Sequence, residues 1–133
     1  MTPAPVPETG EYAEAAAVRL EVLHRRADFL RAAKARHQST PGFVLQARER
    51  GPDESGNGIR VGYTCSKKVG NAVARNRAKR RLREIARQIL PDRGVAGWDY
   101  VLIGRATATA QRRFTDLSAD LQNALTKIHR NMP

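Results

Sequence analysis

Cysteine is almost missing from this sequence: Cys65 is the only one. A single thiol excludes an intrachain disulfide and a thiolate metal cluster. Because it lies in a run that reads as β-strand, it is expected to be a small buried hydrophobe. Long apolar runs are missing as well. No stretch approaches the roughly 18 residues of a membrane-spanning helix. The N-terminus lacks the basic-then-apolar layout of a secretory signal, so the expected location is the cytoplasm. The three histidines, His24, His37 and His129, are far apart and in no metal-ligand spacing. Each is expected at the surface or as a minor phosphate contact. Carboxylates are scarce: 13 Asp and Glu stand against 24 Lys and Arg in 133 residues. No His pair suits general acid–base work and no carboxylate cluster suits two metals. A protein-borne catalytic site is therefore not expected.

What is present is positive charge, a formal +11. Residues 1–18 hold Glu8, Glu11 and Glu14 and no Lys or Arg, so the cationic excess is concentrated in 19–133. The first segment, rich in Pro, Ala and Glu, reads as a flexible acidic tail. Residues 19–133 read as one α/β domain, with 41% hydrophobic residues across the chain to supply a modest core. So strong a field on so small a body attracts polyanions. Anionic lipid fits less well than nucleic acid, since no basic face is combined with exposed large apolar residues.

The pattern of apolar residues predicts a helix over 26–35, with Phe29, Leu30 and Ala33 at helical spacing. Thr40-Pro41-Gly42 stops it. A strand over 43–47 follows, with a very short one before it near His37–Thr40. The turn-forming run from Gly51 to Gly58 leads into a returning strand over 59–65. Asn71 is placed to cap a long helix over 72–90, which Pro91 and Gly94 are expected to end. Tyr100–Ile103 reads as a buried strand. Phe114, Leu117, Leu121, Leu125 and Ile128 share one face of a last helix. The elements make an α+β sandwich with helices covering one sheet face.

The long helix carries the chemistry. On a helical wheel Ala78, Leu82, Ile85, Ala86 and Ile89 cluster on one face, and Asn76, Arg80, Arg83 and Arg87 lie opposite. Arg77 and Arg81 flank them on one side, Lys79 on the other. Between Lys67 and Arg87 the single acid is Glu84. An ordinary solvated face mixes signs, because like charges at i, i+4 repel. Arg75, Arg77 and Lys79 also crowd the positive end of the helix dipole. Two local rules broken together point to a partner that supplies the missing negative charge, and a phosphate backbone does so. Physics alone separates DNA from RNA less sharply. A major-groove reader normally has polar base readers and a dimerising or helix-turn-helix partner, and neither is seen. RNA recognition leans on phosphate contacts and stacking, for which Phe29 and Phe43 are possible platforms.

The ordered run Arg60-Val61-Gly62-Tyr63-Thr64-Cys65-Ser66-Lys67-Lys68-Val69-Gly70-Asn71-Ala72-Val73-Ala74-Arg75-Asn76-Arg77-Ala78-Lys79-Arg80-Arg81-Leu82-Arg83-Glu84 closely resembles the signature of the bacterial ribonuclease P protein family. Its core is Arg75-Asn76-Arg77, with Lys79-Arg80 after it and Ser-Lys-Lys-x-Gly-Asn-Ala before it. The likeness extends from about Leu23 to Ile128, taking in Asp28-Phe29, Phe43-Val44-Leu45 and Asp99-Tyr100-Val101. It implies a two-layer α/β sandwich of order α-β-β-β-α-β-α, with a left-handed βαβ crossover like that of ribosomal protein S5 domain 2. It implies a monomer that joins the catalytic ribonuclease P RNA one to one and promotes removal of the 5′ leader of precursor tRNA. The RNA would do the chemistry with Mg²⁺. Lys67, Lys68, Arg75, Asn76, Arg77, Lys79, Arg80 and Arg83 would face the catalytic RNA, and Phe29, Gln46 and Arg25 the leader cleft. Two positions depart from the family pattern: Ala33 and Gln46 stand where aromatics are usual, which implies weaker leader stacking. A ribosome-associated binding protein and a stand-alone nuclease are the rival readings. The ordered signature disfavours the first, and scattered acids disfavour the second.

Overall fold

Alternating apolar residues become the inner face of a five-stranded sheet. The computed structural model describes residues 20–54 and 58–130, so the acidic segment 1–18 lies outside the described residues. The strands are β1 (Leu20–Val22), β2 (Arg36–Ser39), β3 (Phe43–Glu49), β4 (Ile59–Cys65) and β5 (Trp98–Gly104). The helices are α1 (Arg26–Ala33), α2 (Ala72–Arg93), the single turn α3 (Ala108–Gln111) and α4 (Phe114–Ile128). The sheet order is β1-β4-β5-β3-β2. β4 and β5 are parallel neighbours joined through α2, while β3 runs antiparallel to β5 and β2 to β3. The α+β sandwich expected from the sequence is thus present. β1 and α3 are additions to it. At three and four residues they are too short to show a period, and β1 depends on its parallel pairing with β4.

Side chains alternate across a strand, so each strand contributes to both faces. Phe43, Leu45, Ile59, Val61, Tyr100 and Leu102 point to one face and meet Leu82, Ile85 and Ile89 of α2 and Leu117, Leu121 and Leu125 of α4. Each fully buried side chain of this kind contributes about 1.5–3 kcal/mol. The opposite face is not bare. α1 lies against it, where Ala32 and Phe29 meet Leu23, Val101 and Ile103. Helices therefore cover one face almost fully and the other in part, and the uncovered remainder becomes a cleft.

Pro91 does not end α2 but lies inside it. In the last turn it forfeits one backbone hydrogen bond. Gly94, whose N–H donates to the Leu90 carbonyl, closes the helix instead. Asn71 caps the other end as expected, its side chain accepting from the Ala74 N–H at 3.0 Å.

His129 is a structural residue and not the surface residue its isolation suggested. Its ring meets Trp98 edge-on at 4.5 Å between centroids. The Tyr100 hydroxyl accepts from the Val95 N–H, which leaves its own hydrogen for Nε2 of His129, 2.8 Å away. Burial, and then the charge of Arg36, lower the imidazole pKa below its ordinary value. The unfolded chain therefore takes up the proton more readily. The stability contributed by neutral His129 is present above the unfolded value of about 6.5 and declines as pH falls through the lower folded value. Denaturant titrations at stepped pH should show this decline below about pH 6.5, and His129→Phe should flatten it. An unchanged slope in that variant would exclude His129 as the source.

Candidate nucleic-acid interface

Docking of α2 on the sheet decides which of its cations reach water. Ala78, Leu82, Ile85, Ala86 and Ile89 are buried, and Asn76, Arg77, Arg80, Arg83 and Arg87 are exposed. Arg75 and Lys79 are half-buried. Lys67 and Lys68 are exposed on a 3₁₀ turn before the helix, which Ser66 caps by accepting from the Lys68 N–H at 3.2 Å. Gly70, at φ +133°, then turns the chain into α2. The residues expected to meet RNA thus lie on and just before one helix.

The cations of this molecule fall into two groups. Around the start of β5, Asp99 is fully buried and bound by Arg50 Nη1 at 2.6 Å and by Arg60 Nε and Nη2, each at 2.7 Å. Arg48 lies 3.6 Å from the same carboxylate and forks onto Glu54. The Arg48 guanidinium and the Gly51 N–H hold the Glu54 carboxyl down at about 2. Asp28 of α1 joins through Arg31 and Arg60. The second group has no such partners. Among the described residues, Lys67, Lys68, Arg75, Arg77, Lys79, Arg80 and Arg83 pair with no carboxylate, and on α2 only Arg87 reaches one, Glu84, at 3.3 Å. No acid stands in the first turn of α2 to offset them.

Arg83 lies over the Tyr63 ring, 5.3 Å from its centroid, which orients the guanidinium without neutralising it. Burial pushes the Tyr63 phenol up to about 12 despite Arg83 and Arg87 nearby. Arg81, in the same run, does something else. It donates to the Arg112 carbonyl, and Arg112 in turn forks onto Asp120 at 2.6 and 3.0 Å. It therefore ties α2 to the start of α4. Beside the N-terminal turns of α2, Thr64, Cys65, Arg75, Asn76 and Lys79 line a crevice of about 280 Å³. Cys65 is half-buried there, its Sγ 3.7 Å from the Arg75 carbonyl, and burial raises its thiol pKa.

On the partly covered sheet face lies a wider cleft of about 470 Å³. Phe29, Leu30 and Ala33 of α1 line it together with Gln46, Val101 and Ile103. Phe29 is held against Gly62, where an added Cβ would stand 2.6 Å from the ring, so this glycine makes room for the aromatic wall. Gln46 and Ala33, far apart in sequence, share this cleft. Arg25 does not line it. That residue borders a neighbouring depression with Asp28, Arg31, Glu54 and Arg60, and Arg26 and His24 provide the polar rim instead. Phe43 offers no platform: it is fully buried in the core. A residue count along α1 could not separate Arg25 from Arg26, since both precede or open the helix. Thr64 and Tyr63 also border the cleft; alternation along β4 puts Thr64 on the face of Gly62 and could have found it, whereas it puts Tyr63 with Val61 on the face toward α2. Among the described residues, no three His, Cys, Asp or Glu side chains are grouped to hold a metal ion. Among the described residues, no helix is long and apolar enough to cross a membrane.

The family model described as Ribonuclease P matches residues 18–129. The Ribonuclease P protein component of Ruegeria pomeroyi is 60% identical over 114 residues, covering 86% of this chain and 90% of the relative. That of Paramagnetospirillum magneticum is 49% identical, covering 84% and 85%. Among solved structures, the RNase P protein of Staphylococcus aureus superposes with a TM-score of 0.63 at 26% identity, over 80% of this chain and 93% of its own. The RNase P protein of Thermotoga maritima gives 0.63 at 29%, over 81% and 97%.

Proposed function

Since this chain belongs to the ribonuclease P protein family, and is thereby a protein component of an endoribonuclease of tRNA processing, we propose that it works by binding two RNAs with two surfaces. The α2 surface binds the catalytic RNA, and the cleft beside α1 binds the 5′ leader of precursor tRNA. The observation that carries this reading is the row of cations on and before α2 that no acid among the described residues neutralises. Phosphates supply the missing charge, with guanidinium forks and point-charge lysines holding them. Arg83 on Tyr63 and the capped start of α2 present those groups already ordered, which lowers the entropy lost on binding.

Hydrolysis of the phosphodiester belongs to the RNA and its Mg²⁺. The acids Asp28, Glu54, Asp99 and Asp120 are held by arginines, and among the described residues no three His, Cys, Asp or Glu side chains are grouped to hold a metal ion. The protein's share is affinity: by holding the leader it binds precursor more tightly than mature tRNA, favouring substrate over product. Loss of the aromatics usual at Ala33 and Gln46 shifts leader binding from stacking to hydrogen bonds and charge. We place this work in the cytoplasm, by a monomer joined to one RNA.

The test is precursor-tRNA cleavage at low Mg²⁺ by a bacterial ribonuclease P RNA with and without this protein. Stimulation is expected only when both are present, and it should be lost with Arg77→Ala plus Arg80→Ala. Cleavage by the protein alone would overturn the division of labour. Tight RNA binding without stimulation would favour a ribosome-associated role.

A further inference from the structure

The described chain begins beside one end of α2. Leu20, the first residue of β1, pairs in parallel with Ile59 at the start of β4, and α2 lies against β1. The C-terminal end of α2 abuts the same place, where a Cβ added at Gly94 would stand 2.7 Å from Ile59 Cδ1. β4 and β1 lie on one flank of α2 and α4 on the other. Arg83 stands on the first flank, over Tyr63 of β4, and Arg87 follows one turn later. Arg81 and Arg93 belong to the other, bonded to the Arg112 carbonyl and to Gln122 and Thr126. The cations that no described acid neutralises therefore face the edge from which segment 1–18 departs. That segment, outside the described residues, holds Glu8, Glu11 and Glu14 and no Lys or Arg. The lengths agree as well. Measured from Gly94, Arg87, Arg83 and Arg77 lie about 10, 16 and 25 Å along the helix. Glu14, Glu11 and Glu8 stand 6, 9 and 12 positions before Leu20 and can reach about 20, 30 and 40 Å from it.

We propose that the acidic segment 1–18 docks on the cationic face of α2 in the RNA-free protein, and that RNA must displace it to bind. Each exposed Glu–Arg contact is weak alone. Tethering offsets that weakness, because a segment on the same chain faces α2 at a millimolar effective concentration. The docked fraction lowers affinity for every polyanion at this face by a common factor. Chance partners that bind weakly are thereby kept off, while a tightly bound RNA still displaces the segment. Salt weakens the contacts of the segment as it weakens those of RNA. Displacement therefore opposes the usual salt effect, and RNA binding is less salt-dependent than the cations alone would make it. The effect on RNA rests on the reading of α2 as the RNA surface.

The experiment uses the full chain carrying Glu8→Gln, Glu11→Gln and Glu14→Gln together, which keeps its length and removes the charge. In the free protein at low salt, backbone amide shifts of residues 77–87 should differ between this variant and the wild type. That difference should fade as salt is raised. Binding of the variant to a bacterial ribonuclease P RNA should be about threefold tighter at low salt, and the two affinities should converge at higher salt. Tighter binding with no shift on α2 would overturn docking, since the acids would then act only by repelling the RNA. Unchanged affinity in the triple variant, while Arg77→Ala plus Arg80→Ala weakens binding, would also overturn the proposal. Unchanged affinity in both variants would instead overturn the α2 reading beneath it.

Discussion

Asp99→Ala is expected to cost about 3–5 kcal/mol of folding stability, a large fraction of the roughly 5–15 kcal/mol a domain ordinarily has. The carboxylate is fully buried and receives three hydrogen bonds from Arg50 and Arg60, with Arg48 close by. Its loss leaves those guanidinium charges facing one another. Arg48 retains Glu54, and Arg60 retains Asp28 at 3.5 Å. Arg50 is more deeply trapped, 8% exposed, and its bonds to the carbonyls of Gly58 and Trp98 do not replace a negative charge. Because β5 is bonded to both β3 and β4, a disturbance at Asp99 spreads to the middle of the sheet. Urea unfolding of the purified variant measures the effect. A loss smaller than about 1 kcal/mol would mean that water or relaxation replaces the carboxylate, and that the network is not a keystone of the fold.

Arg77→Ala plus Arg80→Ala should do the reverse: leave stability within about 0.5 kcal/mol and weaken RNA binding about 10- to 100-fold. Both side chains are exposed on a helix, where alanine is the better helix former, and neither has an acidic partner among the described residues. Removing two like charges from the helix start also relieves repulsion there. If each arginine contacts one phosphate, the slope of log affinity against log salt should become shallower by about 2. Binding to ribonuclease P RNA across a salt series supplies both numbers. A variant that loses stability but keeps its salt slope would show that these arginines serve the fold.

The two substitutions expose a distinction that charge counting cannot make. Arg60 and Arg77 are the same residue in the chain, and each stands near others of its kind. Only the folded molecule shows that Arg60 is committed to Asp28 and Asp99, some tens of positions away in sequence, while Arg77 pairs with no acid among the described residues. Arg81 makes the point within a single helix, since it turns from the cationic face to hold the Arg112 carbonyl.

Local patterning made the main elements legible. Ile59–Cys65 and Phe114–Ile128 have the bounds their periodicity predicts, and α2 begins at its expected cap. The cationic helix face was legible for the same reason: a 3.6-residue period needs no knowledge of the rest of the chain. What required tertiary structure was everything set by distant partners. β1 exists through its pairing with β4, Pro91 is tolerated because it falls in a last turn, and His129 is drawn inward by Trp98 and Tyr100. Phe29 and Phe43 look alike in sequence, yet one walls a cleft and the other fills the core. The sequence by itself determined the order of the main elements, β1 and α3 apart, the amphipathic α2 and the signature that marks the family, because these depend on neighbours along the chain. Only the tertiary structure decided which arginines are neutralised, and that Ala33 and Gln46 share one groove. Burial and ion pairing are properties of groups brought together across the sheet, and spacing along the chain does not encode them.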